Sequence, residues 1–296
     1  MKTTEEKEKT MKKGLLKMVM SLVLSVVLLA GGSAVMAAED TELPESFVIY
    51  ISGIDVFGDV ETQSRSDVNL LMAVNRTTGK ILILNTPRDY YVELPISEGQ
   101  RDKLTHAGIY GVDVSKGAME MLYDITADYY ARLNFSSFET IIDALGGIEV
   151  YSEYDFSAEG YSYSQGMNFL NGPQALAFVR ERKSFAEGDV QRGKDQMEML
   201  KSLIARLGTF EGVNSFAEVY DQVASVVETN VTKEMLLALA AEQIVQGRTW
   251  DIETFYVTGT DGNEVTYSIP YTTAYVMIPN EDEVAEAKEK LQAVLE

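Results

Sequence analysis

The chain has 296 residues, 46% apolar and 24% charged, which suits one large globular domain or two small ones with a sizeable core. It has no cysteine and one histidine. Disulfides and thiolate metal sites are excluded, histidine-based sites have almost no scope, and chemistry falls to carboxylates, arginines, lysines, hydroxyls or a bound metal.

Lys12, Lys13 and Lys17 precede an apolar run from Met18 to Ala38, which at about 20 residues is long enough to cross a bilayer. Lysines before it and acids after it place the remainder outside the cell by the positive-inside rule. Residues 1–17 read as a cytoplasmic tail, 18–38 as a single transmembrane signal-anchor, 39–45 as a linker, and 46–296 as the extracytoplasmic domain. Val35-Met36-Ala37-Ala38-Glu39 also resembles a signal-peptidase site, and cleavage there leaves the domain outside as well. The first 38 residues hold six lysines and three glutamates, so the remainder has 19 basic against 43 acidic residues. So acidic a surface repels nucleic acid and anionic lipid, and no nucleic-acid partner is expected.

FVIYISG (47–53), VNLLMAV (68–74) and KILILNT (80–86) read as strands, the last two joined by the turn residues NRTTGK. Residues 113–124 read as a helix and 129–134 as a strand. Residues 136–147 form a predicted helix capped by Ser136 or Ser137 and stopped by Gly146-Gly147, and strand 148–152 follows. The Tyr-, Ser- and Gly-rich stretch 152–165 reads as a long surface loop. Its Tyr151, Tyr154, Tyr161 and Tyr163 suit either an aromatic platform or a lid. Asn171-Gly172-Pro173 starts a helix. Residues 189–207, 216–227 and 232–243 are expected to be helical, 252–257 and 274–279 strands, and 281–296 a closing amphipathic helix. This alternation predicts an α/β domain with a sheet sandwiched by helices.

The chemistry-bearing residues cluster around these strands. Asp55 follows the first strand, and Arg65 and Asp67 alternate on the approach to the second. Two carboxylates at neighbouring strand ends can hold one Mg²⁺ together with phosphate oxygens and water; the plain alternative is that Asp55 caps a turn and Asp67 pairs with Arg65. Arg88 follows the third strand, at the edge where open α/β sheets bind ligands, or else simply pairs with Asp89. In VRERKSFAEGDVQRGKDQ (179–196), Arg180 and Arg182 would diverge by about 200° in a continuing helix. They converge on one anion if the chain becomes extended near Phe178. Arg192 opens the next helix with Gln196 one turn on, and Asp189 either caps that helix or pairs with an arginine. Several arginine forks in a shielded site match the needs of a pyrophosphate; a solvated salt-bridge network is the alternative. His106, beside Lys103 in a glycine-containing stretch, is not expected to be the general base.

Taken in order, GID (53–55), RSD (65–67), PRD (87–89), DKLTHAGIYG (102–111), NF (134–135) with IIDALGGIEV (141–150), LNGPQALAFVRER (170–182) and GDVQRGKDQ (188–196) resemble the LytR-CpsA-Psr family. The resemblance is strongest from about Phe47 to Leu207. It implies a three-layer α/β/α sandwich with a central mixed sheet and an apolar lipid channel, in a Gram-positive cell envelope. It also implies an Mg²⁺-assisted phosphotransferase that moves a teichoic-acid or capsule-type glycopolymer from a polyprenyl-pyrophosphate carrier to a peptidoglycan hydroxyl. Matched residue by residue, the metal ligands are Asp55 and Asp67. The pyrophosphate arginines are Arg65, Arg88, Arg180, Arg182 and Arg192, with Lys103 and Gln196 lining the site and Asp189 the acid of the last motif. The catalytic set implied is Arg65, Asp67, Arg88, Arg180 and Arg182, with Asp67 or Asp89 accepting the hydroxyl proton. A lipid pyrophosphatase, a non-catalytic lipid-binding envelope regulator and a wall-polysaccharide binder are the alternatives.

Overall fold

The computed structural model describes residues 43–209, 220–221, 223–245, 247 and 249–296. The apolar segment 18–38 and most of the expected helix 216–227 lie outside these residues. Among those described, no helix is long and apolar enough to cross a membrane.

Three apolar runs form the middle of the main sheet: β1 (Ser46–Ile54), β2 (Ser66–Asn75) and β3 (Lys80–Asn85). They pair antiparallel, with Ile51 opposite Leu70 and Leu71 opposite Leu84. The β2–β3 turn closes because Asn75 Oδ1 accepts from the backbone N–H groups of Thr77 and Thr78. A short hairpin follows, β4 (Tyr91–Glu93) and β5 (Arg101–Lys103), then α1 (Leu104–Ala107) and α2 (Val112–Tyr123). β6 (Tyr129–Leu133) lies parallel to β1 and leads into α3 (Phe135–Ala144).

The helix cap is Asn134, not Ser136 or Ser137. Its side chain accepts from Ser137 N–H, and Ser137 Oγ in turn accepts from Asn134 N–H. Serine at the third helical position completes the box from the inside, so the helix starts one residue before the predicted run.

The stretch expected to be a long loop is instead largely strand. β7 (Ile148–Ser152) pairs with β10 (Gly166–Leu170), and between them β8 (Phe156–Ala158) pairs with β9 (Tyr161–Tyr163). Phe156 stacks on Tyr163 at 4.5 Å and both pack on Phe178, so aromatic burial orders a polar-looking sequence. Helices α4 (Gly172–Arg180) and α5 (Asp189–Leu207) follow, then β11 (Glu228–Thr229), which pairs with β6. Helix α6 (Lys233–Val245) belongs to a separate, smaller unit of the chain. β12 (Asp251–Tyr256) runs parallel to β3. β14 (Ile269–Pro279) is longer than expected because it pairs with β13 (Gly259–Thr266), a strand the sequence reading did not anticipate. α7 (Glu281–Leu295) closes the chain.

The sheet order is β11-β6-β1-β2-β3-β12, mixed in direction. Alternation sends Val48, Tyr50, Leu71, Ala73, Leu82 and Leu84 to one face, under α2 and α7. Each fully buried leucine there stabilises the fold by roughly 1.5–3 kcal/mol. The opposite face presents Ile51, Gly53 and Leu70 to α3, α4 and α5, and the space between holds the site.

Candidate anion and lipid site

Sheet direction explains why the charged residues meet. β1 and β3 run the same way, so Asp55 and Arg88 both emerge at their carboxyl edge. β2 runs the other way, so its start brings Arg65 and Asp67 to that same edge, where Ser66 stands opposite Ile54. β12 ends there too, with Tyr256 level with Asn85. Beyond this edge and under α3–α5 lies a cavity of about 720 Å³.

Asp55, Asp67, Arg65, Arg88, Arg180, Arg182, Arg192 and Gln196 all line it. The remaining wall is largely apolar: Phe138 and Ile141 from α3, Leu176 from α4, Met199, Leu200 and Leu203 from α5. Along α5, Arg192 and Leu203 are separated by about 16 Å at 1.5 Å per residue. The cavity is therefore cationic at the strand edge and greasy further along the helix.

The pairing differs from the simple alternative. Arg65 Nη2 lies 3.0 Å from Asp55 Oδ2, and Ser64 Oγ donates to the other Asp55 oxygen at 2.9 Å. Asp67 pairs with Arg88, not Arg65: Arg88 Nη1 lies 2.6 Å from Asp67 Oδ2, and Thr105 Oγ1 donates to Asp67 Oδ1. Arg65 precedes the first residue of β2, so strand alternation does not hold it beside Asp67. Arg88 also sits 3.4 Å from Asp89 through Nε, without hydrogen-bond geometry. Burial pulls the Arg88 guanidinium down, but Asp67, Asp89 and Asp189 more than offset this and hold it above its ordinary value.

Arg192 has the opposite balance. It is 8% exposed, with Asp189 Oδ1 at 2.6 Å and its Nε buried without a partner. Burial lowers its pKa, and the neighbouring Arg88 and Arg182 push in the same direction against Asp189 and Asp67. Arg182 itself has no carboxylate within ion-pair distance among the described residues. A cation buried beside other cations, with a donor unspent, suits an incoming anion in electrostatic terms.

Several expectations are corrected here. Arg180 is the last residue of α4, so no strand begins at Phe178; the extended step comes at Glu181, with φ −67° and ψ 138°, and Arg182 still reaches the cavity. Asp189 does not cap α5, whose N-cap is Gly188; it pairs with Arg192 and stands behind the wall. Lys103 is not among the wall residues; its Nζ lies 2.9 Å from Asp89, steadying Arg88 from behind. His106 faces Asp102 and Ser268, at 2.7 and 2.8 Å, away from the wall. Of the four tyrosines weighed as a platform or lid, Tyr163 is core, while Tyr151 and Tyr154 are exposed. Phe135 of the NF motif and Glu159, which the sequence reading passed over, also line the cavity.

Two glycines let the arginine-bearing segments approach. A Cβ on Gly108 would collide with the backbone of Ser64 to Ser66, and one on Gly193 would lie 2.5 Å from the Tyr256 ring and 3.1 Å from Asn85 Oδ1. Gly193→Ala is expected to lift α5, cost about 1–3 kcal/mol of stability and weaken anion binding through Arg192. Thermal melts and pyrophosphate titration measure both effects.

The donor set suits a hard cation. Asp55 and Asp67 each keep lone pairs beyond their arginine and hydroxyl contacts, and two carboxylates plus phosphate and water are what Mg²⁺ takes.

The model of the LytR_cpsA_psr family matches residues 4–293. The chain belongs to this family. A polyisoprenyl-teichoic acid–peptidoglycan teichoic acid transferase, TagU, of Bacillus mycoides is 32% identical over 193 residues, which are 65% of this chain and 62% of that one. The chain thus spans less than two thirds of that relative's length. The crystal structure of B. subtilis TagV superposes with a TM-score of 0.73 at 28% identity, covering 86% of this chain and 98% of that one. A structure of TagT bound to LI-WTA gives 0.67 at 28% identity, covering 87% and 95%. The wall arginines of this LytR_cpsA_psr member thus sit in a fold shared with TagT, a protein solved with LI-WTA bound.

Proposed function

We propose that this protein is a phosphotransferase that moves a phosphate-linked glycopolymer from a polyprenyl-pyrophosphate carrier to a peptidoglycan hydroxyl. The polymer is of teichoic-acid or capsule type. The observation that carries this reading is the two-part cavity: five arginines at the strand edge, continuous with an apolar wall of α3, α4 and α5. Pyrophosphate fits the first part and an isoprenoid chain the second. The apolar segment 18–38 would anchor the domain to the outer face of the membrane, where both substrates are found.

In this reading the acceptor oxygen bonds to the phosphorus carrying the polymer. The bridging P–O bond breaks with its electron pair on the departing polyprenyl phosphate, and the acceptor proton passes to a carboxylate. Asp67 lines the cavity whereas Asp89 stands behind Arg88, so Asp67 is the better placed acceptor. Arg88, Arg192 and Arg182 neutralise charge on the leaving group, and Arg65 holds Asp55 in place. When bound, Mg²⁺ on Asp55 and Asp67 would supply further charge neutralisation at the phosphate oxygens.

The test incubates the whole chain in detergent with a polyprenyl-pyrophosphate-linked saccharide and un-crosslinked peptidoglycan oligomer, with Mg²⁺ or with EDTA. Mass spectrometry is expected to find a saccharide-phosphate-peptidoglycan adduct that EDTA abolishes. Lipid cleavage without an adduct would make the protein a pyrophosphatase. Lipid retention with no turnover would make it a binding protein.

A further inference from the structure

The five carboxylates that face the arginines of the cavity edge come from two kinds of place. Asp55, Asp67 and Asp89 lie at the strand edge and Asp189 on the arginine's own helix. Glu159 does not. It arrives from the β8–β9 turn, outside the main sheet and α5, and its Oε1 lies 2.7 Å from Arg180 Nη1. Both partners are well exposed, at 39% for Arg180 and 54% for Glu159.

The turn itself is chemically odd. Ala158 pairs with Tyr161, leaving a two-residue loop of Glu159 and Gly160 with φ of 51° and 87°. Positive φ at both positions is the signature of a type I′ turn, whose first position favours Asn, Asp or Gly. A glutamate there carries backbone strain, and strain of this kind collects where a side chain is wanted for something else. The base of the hairpin is firmly held: Phe156 and Tyr163 stack in the α4 core, and Tyr163 Oη donates to Gln174 O at 2.8 Å. Only the Glu159 side chain therefore has to move for its carboxylate to leave Arg180.

Arg180 is otherwise placed for a ligand. It lines the cavity with its guanidinium 4.3 Å from the Phe135 ring centroid, which orients the fork without neutralising it. Glu139 lies in the same field, held above its ordinary value first by burial and then by Asp143 and Glu159. An incoming anion meets a carboxylate on the arginine it needs.

We propose that Glu159 is a specificity gate on the anion site: it occupies Arg180 until a pyrophosphate group displaces it. This rests on the reading of the cavity as the pyrophosphate site. A weakly held anion does not displace Glu159. A pyrophosphate spanning several arginines does, because it gains more forks than the one it disrupts. Return of Glu159 to Arg180 would favour release of the monophosphate product, which makes fewer such contacts.

The test is titration calorimetry of the whole chain in detergent with inorganic pyrophosphate and with inorganic phosphate, at fixed ionic strength. The variants are Glu159→Gln, Glu159→Asn, Arg180→Ala and the double variant E159Q/R180A. Asparagine suits the type I′ turn, so E159N tests the charge without harming the fold. Both single Glu159 variants are expected to bind pyrophosphate roughly five-fold more tightly, the upper end of what an exposed ion pair supplies. Phosphate is expected to gain more than pyrophosphate does, narrowing the preference for pyrophosphate, and an equal gain would overturn the specificity role. The gain is expected to vanish when Arg180 is absent, since the effect runs through that pair. Equal or weaker binding in both Glu159 variants overturns the gate and leaves the anion site standing. Absence of pyrophosphate binding in the wild type and in every variant overturns the anion site itself, and the gate with it.

Discussion

Arg88→Ala is expected to lower kcat for the proposed polymer transfer by roughly 10²–10³-fold, the scale of losing one pre-positioned donor at a developing negative charge. The side chain is doubly fixed, by Asp67 at 2.6 Å and Asp89 at 3.4 Å, so it costs no reorganisation at the moment of reaction. Its removal also leaves Asp67 on the cavity wall with only Thr105 as a partner, and Asp89 behind it with Lys103. The alanine variant thus loses an attraction and exposes a repulsion. Arg88→Lys is expected to recover little, because an ammonium cannot reach Asp67, Asp89 and a phosphate with one planar fork. Steady-state kinetics alongside a thermal melt checks this. A folded Arg88→Ala protein with kcat within about threefold of the wild type would remove Arg88 from the reaction. A loss confined to KM would make it a uniform binding contact.

The parts of the site that were legible are those set by strand ends. Short apolar runs bounded by Gly, Asn and Pro predict β1, β2 and β3. Antiparallel pairing of those strands then brings Asp55, Arg65, Asp67 and Arg88 to one edge. Which carboxylate each arginine takes was not legible. That depends on a register shift between Gly53 and Ile54, and no residue pattern announces it. The convergence of Arg180 and Arg182 was anticipated for the wrong reason. One extended residue at the α4 C-cap is enough, without a strand.

The missed elements share a cause. β8 and β9 are three residues each, too short for a period-2 pattern, and pairing around a buried Phe156–Tyr163 stack sets them. β13 reads GTDGNEVT, rich in residues that strands disfavour, and exists because β14 offers it a partner. Glu159 was invisible for the same reason. Its role depends on a turn whose flanking strands the sequence does not advertise. Lys103 matched a motif but sits on β5, beside the site, where it meets Asp89 and not the cavity.

Asp195→Asn is expected to stabilise the protein above neutral pH and to flatten the pH dependence of its melting temperature. Asp195 lies on α5, one turn after Gln191, and is 4% exposed. Gln191 Nε2 donates to Oδ1 at 2.9 Å, whereas Asp195 Oδ2 and Gln191 Oε1 are buried with no partner. Two acceptors left without a donor suit a carboxyl that keeps its proton. Burial pushes its pKa up to about 7; Glu153 and Glu198 add to this, while Gln191 and Lys194 act against it. In the unfolded chain an aspartate releases its proton near pH 4. Between about pH 4 and 7 the folded state therefore binds more protons than the unfolded state, and stability falls as pH rises through that window. A shift of this size corresponds to a loss on the order of 3–4 kcal/mol by pH 8. Asparagine cannot ionise, and its amide brings donors to a place that lacks them. D195N is expected to match the wild type near pH 4 and to exceed it by about 2–3 kcal/mol at pH 8. Melting curves of both proteins at pH 4, 5, 6, 7 and 8 decide the matter, and parallel curves across that range would show that Asp195 ionises in the folded protein as it does in the unfolded chain.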